Sequence, residues 1–349
     1  MKIFCLAFAI CGSALAFSPK NLEQYLFESP PKGVRTDAFE VYKDGERVFS
    51  RYDQGSPESL HLLWSMSKSI SSLLFGVAES KGIISREDKL EKFFPKTLSK
   101  FKGKDQELLK SIKLKNILNM ASGLNWDEFY EEDPFNSNVV EMLYLKSKGS
   151  MGEYALSVGR RKAPGEGLHY SSGDTMILTT AMMRSMQGEL KSTYPWKWLF
   201  GPIEMEAIFE RDGEGAFIGS SYAYLKTKDL AKLGHLILNR GRYKGKQVVP
   251  AKYIEYATSL SEALKKKGCL TDDYMTYGAQ FWLNASCPNG KRPFPSVSDK
   301  LVMMLGHGGQ SVFIFPEKGI VAVRIARDEE KALDKETYGR LLVEAFNEK

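Results

Sequence analysis

Residues 65–81 read Ser-Met-Ser-Lys-Ser-Ile-Ser-Ser-Leu-Leu-Phe-Gly-Val-Ala-Glu-Ser-Lys, with apolar Met66, Ile70, Leu73, Leu74 and Val77 at the spacing of one helical face. Gly82 follows and supplies the stop. The stripe predicts a largely buried helix that opens on Ser65. Positions i and i+3 share a helical face, so the Lys68 ammonium can lie beside the Ser65 hydroxyl. A helix start also aims free backbone N–H groups and positive potential at that point. A free lysine has a pKa of about 10.4, which leaves about one in 2,500 neutral at pH 7. Burial and a helix N-terminus both disfavour the ammonium, and a drop of three units requires roughly 4 kcal/mol. A tyrosine near the serine is a natural second group to share the proton.

Upstream of that helix, residues 38–52 form two alternating stretches around Asp44-Gly45, a strong hairpin signal. Downstream, residues 85–214 are mostly helical in pattern, clearest at 112–120 and 175–186. Strand character returns at 217–223 and 277–283, then strongly at 311–315 and 320–325, joined through Glu317-Lys318-Gly319. A last helix fits 335–348. The order predicts an α/β chain of the α+β type, with an antiparallel sheet flanked by N- and C-terminal helices and a mainly α-helical lobe inserted. One lobe takes residues 17–84 and 215–349, the inserted α lobe takes 85–214, and a cleft between them is the place for chemistry.

The first sixteen residues stand apart. Lys2, an apolar run over 3–10, and Gly12, Ser13, Ala14, Leu15 and Ala16 have the layout of a signal peptide, so the mature chain is expected to begin near Phe17 and to be periplasmic or secreted. Lipidation at Cys11 fits less well, because Ile10 is bulky where a small residue is needed. The apolar run falls short of the roughly 20 residues of a membrane span. Of four cysteines, Cys5 and Cys11 leave with this segment. Cys269 and Cys287 remain, a candidate disulfide in an oxidising compartment, with two unpaired thiols as the alternative.

At 349 residues, 43% hydrophobic and 26% charged, the chain has a globular composition that excludes disordered, collagen-like and coiled-coil classes. The net charge of +6 comes from interspersed signs, which does not favour nucleic acid as a partner. The sequence holds no Gly-x-Ser-x-Gly elbow, Walker loop, dinucleotide fingerprint or His-Glu-x-x-His helix. His61, His169, His235 and His307 lack metal-ligand spacing. No metal or organic cofactor is expected.

Ser-x-x-Lys occurs three times, at Ser29, Ser65 and Ser99. Ser29 sits in Ser-Pro-Pro-Lys and Ser99 in a lysine-rich, solvated stretch, so only Ser65 opens a buried helix. Tyr170-Ser171-Ser172 lies at a loop-to-helix transition, and Gly306-His-Gly-Gly-Gln310 precedes the strand at 311–315. Glycines there let a bound acyl group approach a sheet edge.

Taken in order, Ser65-Met-Ser-Lys68, Tyr170-Ser-Ser172 and His307-Gly-Gly309 resemble the motifs of the serine β-lactamase-like family, with class C β-lactamases, D-peptidases, family VIII esterases and 6-aminohexanoate-dimer hydrolases as relatives. Segments 117–124, 225–234 and 277–282 look like further family landmarks. The resemblance covers nearly the whole mature chain and implies a β-lactamase/transpeptidase-like fold. It implies Ser65 as acylated nucleophile, Lys68 and Tyr170 as the groups that handle its proton, and the backbone N–H groups of Ser65 and Gln310 as oxyanion hole. It also implies substrate contacts at Ser172, His307, Gly308 and Gly309.

Two departures bear on substrate. Relatives that act on β-lactams usually carry Tyr-x-Asn and Lys-Thr-Gly where this chain has Tyr170-Ser-Ser172 and His307-Gly-Gly309. A serine offers one donor, and a histidine with an unperturbed pKa near 6.5 is mostly neutral at pH 7. A substrate carboxylate is therefore held less firmly, and the reading leans to a small-molecule ester, linear amide or peptide-like substrate. The rivals are β-lactamase or D-alanyl peptidase action, and a non-catalytic protein that binds peptidoglycan fragments. The acidic run over 126–133 reads as a solvated loop, with a cleft lining or a cation site as the alternative, and the lysines over 89–115 as a solvated helix face, with an anionic cell-wall partner as the alternative.

Overall fold

The computed structural model describes residues 17–130, 134–146, 149–267, 276–288 and 290–346. The hairpin at Asp44-Gly45 joins β1 (Thr36–Lys43) to β2 (Glu46–Tyr52), and both turn residues have positive φ, 51° and 93°. A two-residue turn of that geometry matches the twist of the strands it connects. Strands β3 (Thr276–Tyr277), β4 (Trp282–Leu283), β5 (Val302–Leu305), β6 (Ser311–Phe315) and β7 (Ile320–Ala326) complete an antiparallel sheet of order β2-β1-β7-β6-β5-β4-β3. The first strand of the sequence thus pairs with the last in the interior of an open sheet whose edges are β2 and β3.

Strand alternation sorts the side chains onto two faces. Phe39, Val41, Phe313, Phe315, Ile320 and Ala322 pack with Leu22, Leu26, Tyr338 and Leu342 from the terminal helices. Ala38, Tyr42, Val312, Ile314, Val321 and Val323 point the other way, into the main core. There they meet α1 (Ser67–Ser80) and α3 (Thr227–Leu238); α2 (Ser172–Arg184) joins the same core from behind. Gly234 lets α3 lie close on the sheet, since a Cβ there would run into Val321. From residue 85 to 206 the described regular elements are helices and helical turns. Among the described residues no helix is long and apolar enough to cross a membrane.

Two sequence expectations change. Residues 277–283 are a tight hairpin, β3 to β4, instead of one strand. Gly278 N–H donates to the Phe281 carbonyl, and Ser69 and Ser72 of α1 donate to the Gln280 and Ala279 carbonyls, so the buried helix holds the turn. Near 217–223, Phe217 makes only an isolated bridge with Arg211, and a strand begins at Ala223, in a small sheet of His61–Leu62, Ala223–Leu225 and Ala207–Phe209. The preceding residues turn beneath α1, where the Gly219 and Ser220 carbonyls accept from Ser71 and Lys68. The last helix is Lys335–Glu344, short of the expected 348. Residues 347–349, and the proposed leader 1–16, lie outside the described residues.

Candidate active site

A single 3-10 turn, Trp64–Met66, runs directly into α1 and sets Ser65 at its mouth. Trp64 has φ 47°, a costly conformation for a bulky residue and of the kind that clusters where a side chain must be aimed. One turn on, Lys68 is buried to 1% exposure and its Nζ lies 2.9 Å from Ser65 Oγ, 2.9 Å from Ser172 Oγ and 3.0 Å from the Ser220 carbonyl. Three acceptors match the three protons of an ammonium. When Lys68 is neutral, two N–H bonds serve Ser172 and Ser220 and the lone pair faces the Ser65 hydroxyl. Burial pulls its pKa down to about 8, with the Glu128 charge opposing the shift.

Tyr170 stands on the other side. Its ring packs 4.9 Å from Lys68 Nζ and stacks on Trp282 at 5.1 Å. Burial pushes its phenol well above the ordinary value; a hydrogen bond with Ser65 works the other way. A phenol held so firmly protonated can donate to a departing oxygen or nitrogen, and take its proton back through the Ser65–Lys68 pair.

The third segment approaches from the sheet. His307–Gly309 is a short turn in which Gly308 and Gly309 have φ 69° and 75°, and Gln310 follows in extended conformation into β6. His307 is exposed, its ring 5.6 Å from Trp64 and 5.2 Å from Tyr130. Ser65, Tyr170, His307, Gly308, Gly309 and Gln310 line one cleft of about 350 Å³. Ser172, expected to meet substrate, is instead fully buried, accepting from Lys68 and donating to Glu128 Oε1 at 2.5 Å. Cys287 is disulfide-bonded, and Cys269 lies outside the described residues.

The sequence matches the family model Beta-lactamase over residues 24–345. The chain belongs to the Beta-lactamase family. The 6-aminohexanoate-dimer hydrolase of Paenarthrobacter ureafaciens is 25% identical over 341 residues, covering 90% of this chain and 76% of that protein. A Bacillus anthracis structure described as a candidate 6-aminohexanoate-dimer hydrolase has TM-score 0.72 at 20% identity, with 94% of this chain and 81% of that one covered. EstCE1, described as a hydrolase with promiscuous acyltransferase activity, has TM-score 0.66 at 13% identity, covering 94% and 97%. This Beta-lactamase family groups serine hydrolases that include amidases, esterases and β-lactamases.

In this β-lactamase fold one acidic residue follows the second reading of its segment, a cleft lining, and not the favoured one. Glu128, read as part of a solvated acidic loop, lines the cleft and takes the Ser172 N–H at 2.8 Å, the Ser172 hydroxyl and the Trp126 indole N–H at 2.5 Å. It anchors the group that Lys68 leans on. The available signal was aromatic: Trp126, Phe129 and Tyr130 interleave the carboxylates, and Trp126 is fully buried, which a freely solvated loop has no need for.

Proposed function

We propose that the protein is an exported serine hydrolase that forms an acyl-enzyme at Ser65 on carboxylic esters or small linear amides. The observation that carries this reading is the buried Lys68 amine 2.9 Å from the Ser65 hydroxyl. With a pKa near 8, about one Lys68 in ten is neutral at pH 7, roughly 250-fold more than for a free lysine. Ser65 Oγ attacks the acyl carbon while its proton passes to the Lys68–Tyr170 pair. The carbonyl π bond opens to an oxyanion held by the Ser65 and Gln310 N–H groups. When the carbonyl re-forms, the bond to the leaving alcohol or amine breaks and that group takes the proton. Water, deprotonated by the same pair, then attacks the ester carbon and releases the acid and Ser65.

The cleft favours substrates without a carboxylate near the reacting carbonyl. Its lining carries Glu128, Glu329 and Glu330 against Lys331 and Lys335, with Asp328 already paired to Arg324, and His307 stands where relatives that bind carboxylates carry lysine. Intact-mass measurement after a fluorophosphonate probe tests the reading: one adduct is expected on the wild type and none on Ser65→Ala. Equal labelling of the two would move the nucleophile elsewhere. Lys68→Ala and Tyr170→Phe should each lower p-nitrophenyl ester turnover about 100-fold or more while the protein stays folded, as for lost general-base groups.

A further inference from the structure

Behind the glycine turn lies a buried ion pair that the chemistry above leaves unused. Arg324 on β7 and Asp328 just beyond it have side chains only 0% and 2% exposed, and they meet in a two-pronged contact of 2.7 and 2.8 Å. Burying such a pair among apolar residues brings little net stability, so its retention calls for another account. Its remaining bonds run to the backbone of the turn and to the start of β1. Arg324 Nη1 donates to the Gly309 carbonyl at 2.9 Å, Asp328 N–H donates to the Gly308 carbonyl at 2.9 Å, and Arg35 N–H donates to Asp328 Oδ1 at 2.8 Å. Thr36 Oγ1 on β1 accepts from Arg324 Nε at 2.9 Å and fixes the guanidinium in its plane. A Cβ at position 309 would strike the Asp328 carboxylate, so the turn sits directly on the pair.

The Gly309 carbonyl and the Gln310 N–H belong to one peptide group, planar and trans. Whatever holds the carbonyl on one side therefore sets the direction of the N–H on the other. We infer that Arg324, braced by Asp328 and Thr36, is a positioning residue that aims the Gln310 N–H at the reacting carbonyl oxygen. This rests on the acyl-enzyme reading above. Neither side chain takes a proton or a bond from the substrate; the effect is on the angle and distance of one donor in the transition state.

Arg324→Lys keeps the charge but loses the planar fork that grips Asp328 and Gly309 together. Its turnover should fall roughly 10- to 100-fold with KM within about threefold, a part of the 10²–10³ that a lost oxyanion donor costs. The decisive readout compares an ester with its thionoester, whose sulfur accepts hydrogen bonds poorly. In the wild type the oxo substrate should be strongly preferred, and in Arg324→Lys that preference should shrink at least about fivefold. Turnover within twofold of wild type, or a lower turnover with an unchanged oxo-to-thiono ratio, overturns the inference. Should Arg324→Lys fail to melt cooperatively, Thr36→Val carries the test through the same ratio, and no change there overturns it equally. Fluorophosphonate labelling separates the two levels: a wild type that is not labelled at Ser65 defeats the acyl-enzyme reading itself, whereas a labelled wild type with an unmoved variant defeats only the role of Arg324.

Discussion

Lys68 accepts a proton only as the free amine, and burial alone brings that form within reach of neutral pH. With the folded pKa near 8, kcat/KM for a neutral ester should climb as pH rises through about 8 and level off above it. Glu128 acts against this, because its negative charge favours the ammonium. Glu128→Gln should therefore move the rising limb to lower pH while the plateau drops about tenfold, since Ser172 loses its anchor. A pH–rate profile checks both parts, and a limb that stays in place would mean that the carboxylate does not reach Lys68 electrostatically. The contrast between these two residues shows what can be read locally. Ser65 and Lys68 are one helical turn apart, so their meeting follows from helix geometry. Glu128 reaches Ser172 across 44 positions of chain through a loop with no periodic pattern, so its aromatics mark the loop as packed while the partner itself is set by the fold.

Elements carry a second set of constraints, seen best at the start of α2. Ser171 caps the helix through the Asp174 N–H, and Asp174 is itself fully buried, accepting from the Ser122 hydroxyl at 2.7 Å, with no hydrogen-bond partner for Oδ2 among the described residues. Burial pushes its carboxyl up to about 8, against roughly 3.9 in an unfolded chain. The folded state thus holds a proton that the unfolded state releases between those values, so stability from this group is full below about pH 4 and is lost as pH rises through about 8. Asp174→Asn removes the titration. Its melting temperature should exceed that of the wild type at pH 9 by a few degrees, with the gap closing towards pH 5; parallel curves across that range would show that Asp174 does not titrate as burial dictates. The position of α2, like the β1–β2 hairpin and α1, was legible because its pattern is local and dense in apolar residues. The 277–283 segment was not, since its turn is held by Ser69 and Ser72 from a helix 200 residues earlier, and nothing within the segment announces that support.

At the scale of the whole molecule, the first and last described residues meet on the outer face of the sheet. Phe17 packs its ring 5.8 Å from Phe49 and 4.8 Å from Phe346, and Ser18 N–H donates to the Ala345 carbonyl at 2.8 Å. This seam joins Phe17 and Ser18, the edge strand β2 and the residues just past the last helix, so it covers the end of the core that the terminal helices build. The proposed export signal ends at Ala16, one residue before the seam. Cleavage there keeps every one of these contacts, whereas cleavage two residues later removes the ring and the hydrogen bond together. The exported protein should therefore begin at Phe17, which N-terminal sequencing or intact-mass measurement on material recovered outside the cytoplasm reads directly. Retention of Met1 in exported protein, or a start beyond Ser18, would defeat the placement of the cleavage site. In the mature chain Phe17→Ala should lower the unfolding free energy by about 1–2 kcal/mol, the scale of a partly buried aromatic with two ring partners, and leave kcat unchanged because the seam and the Ser65 cleft share no residue.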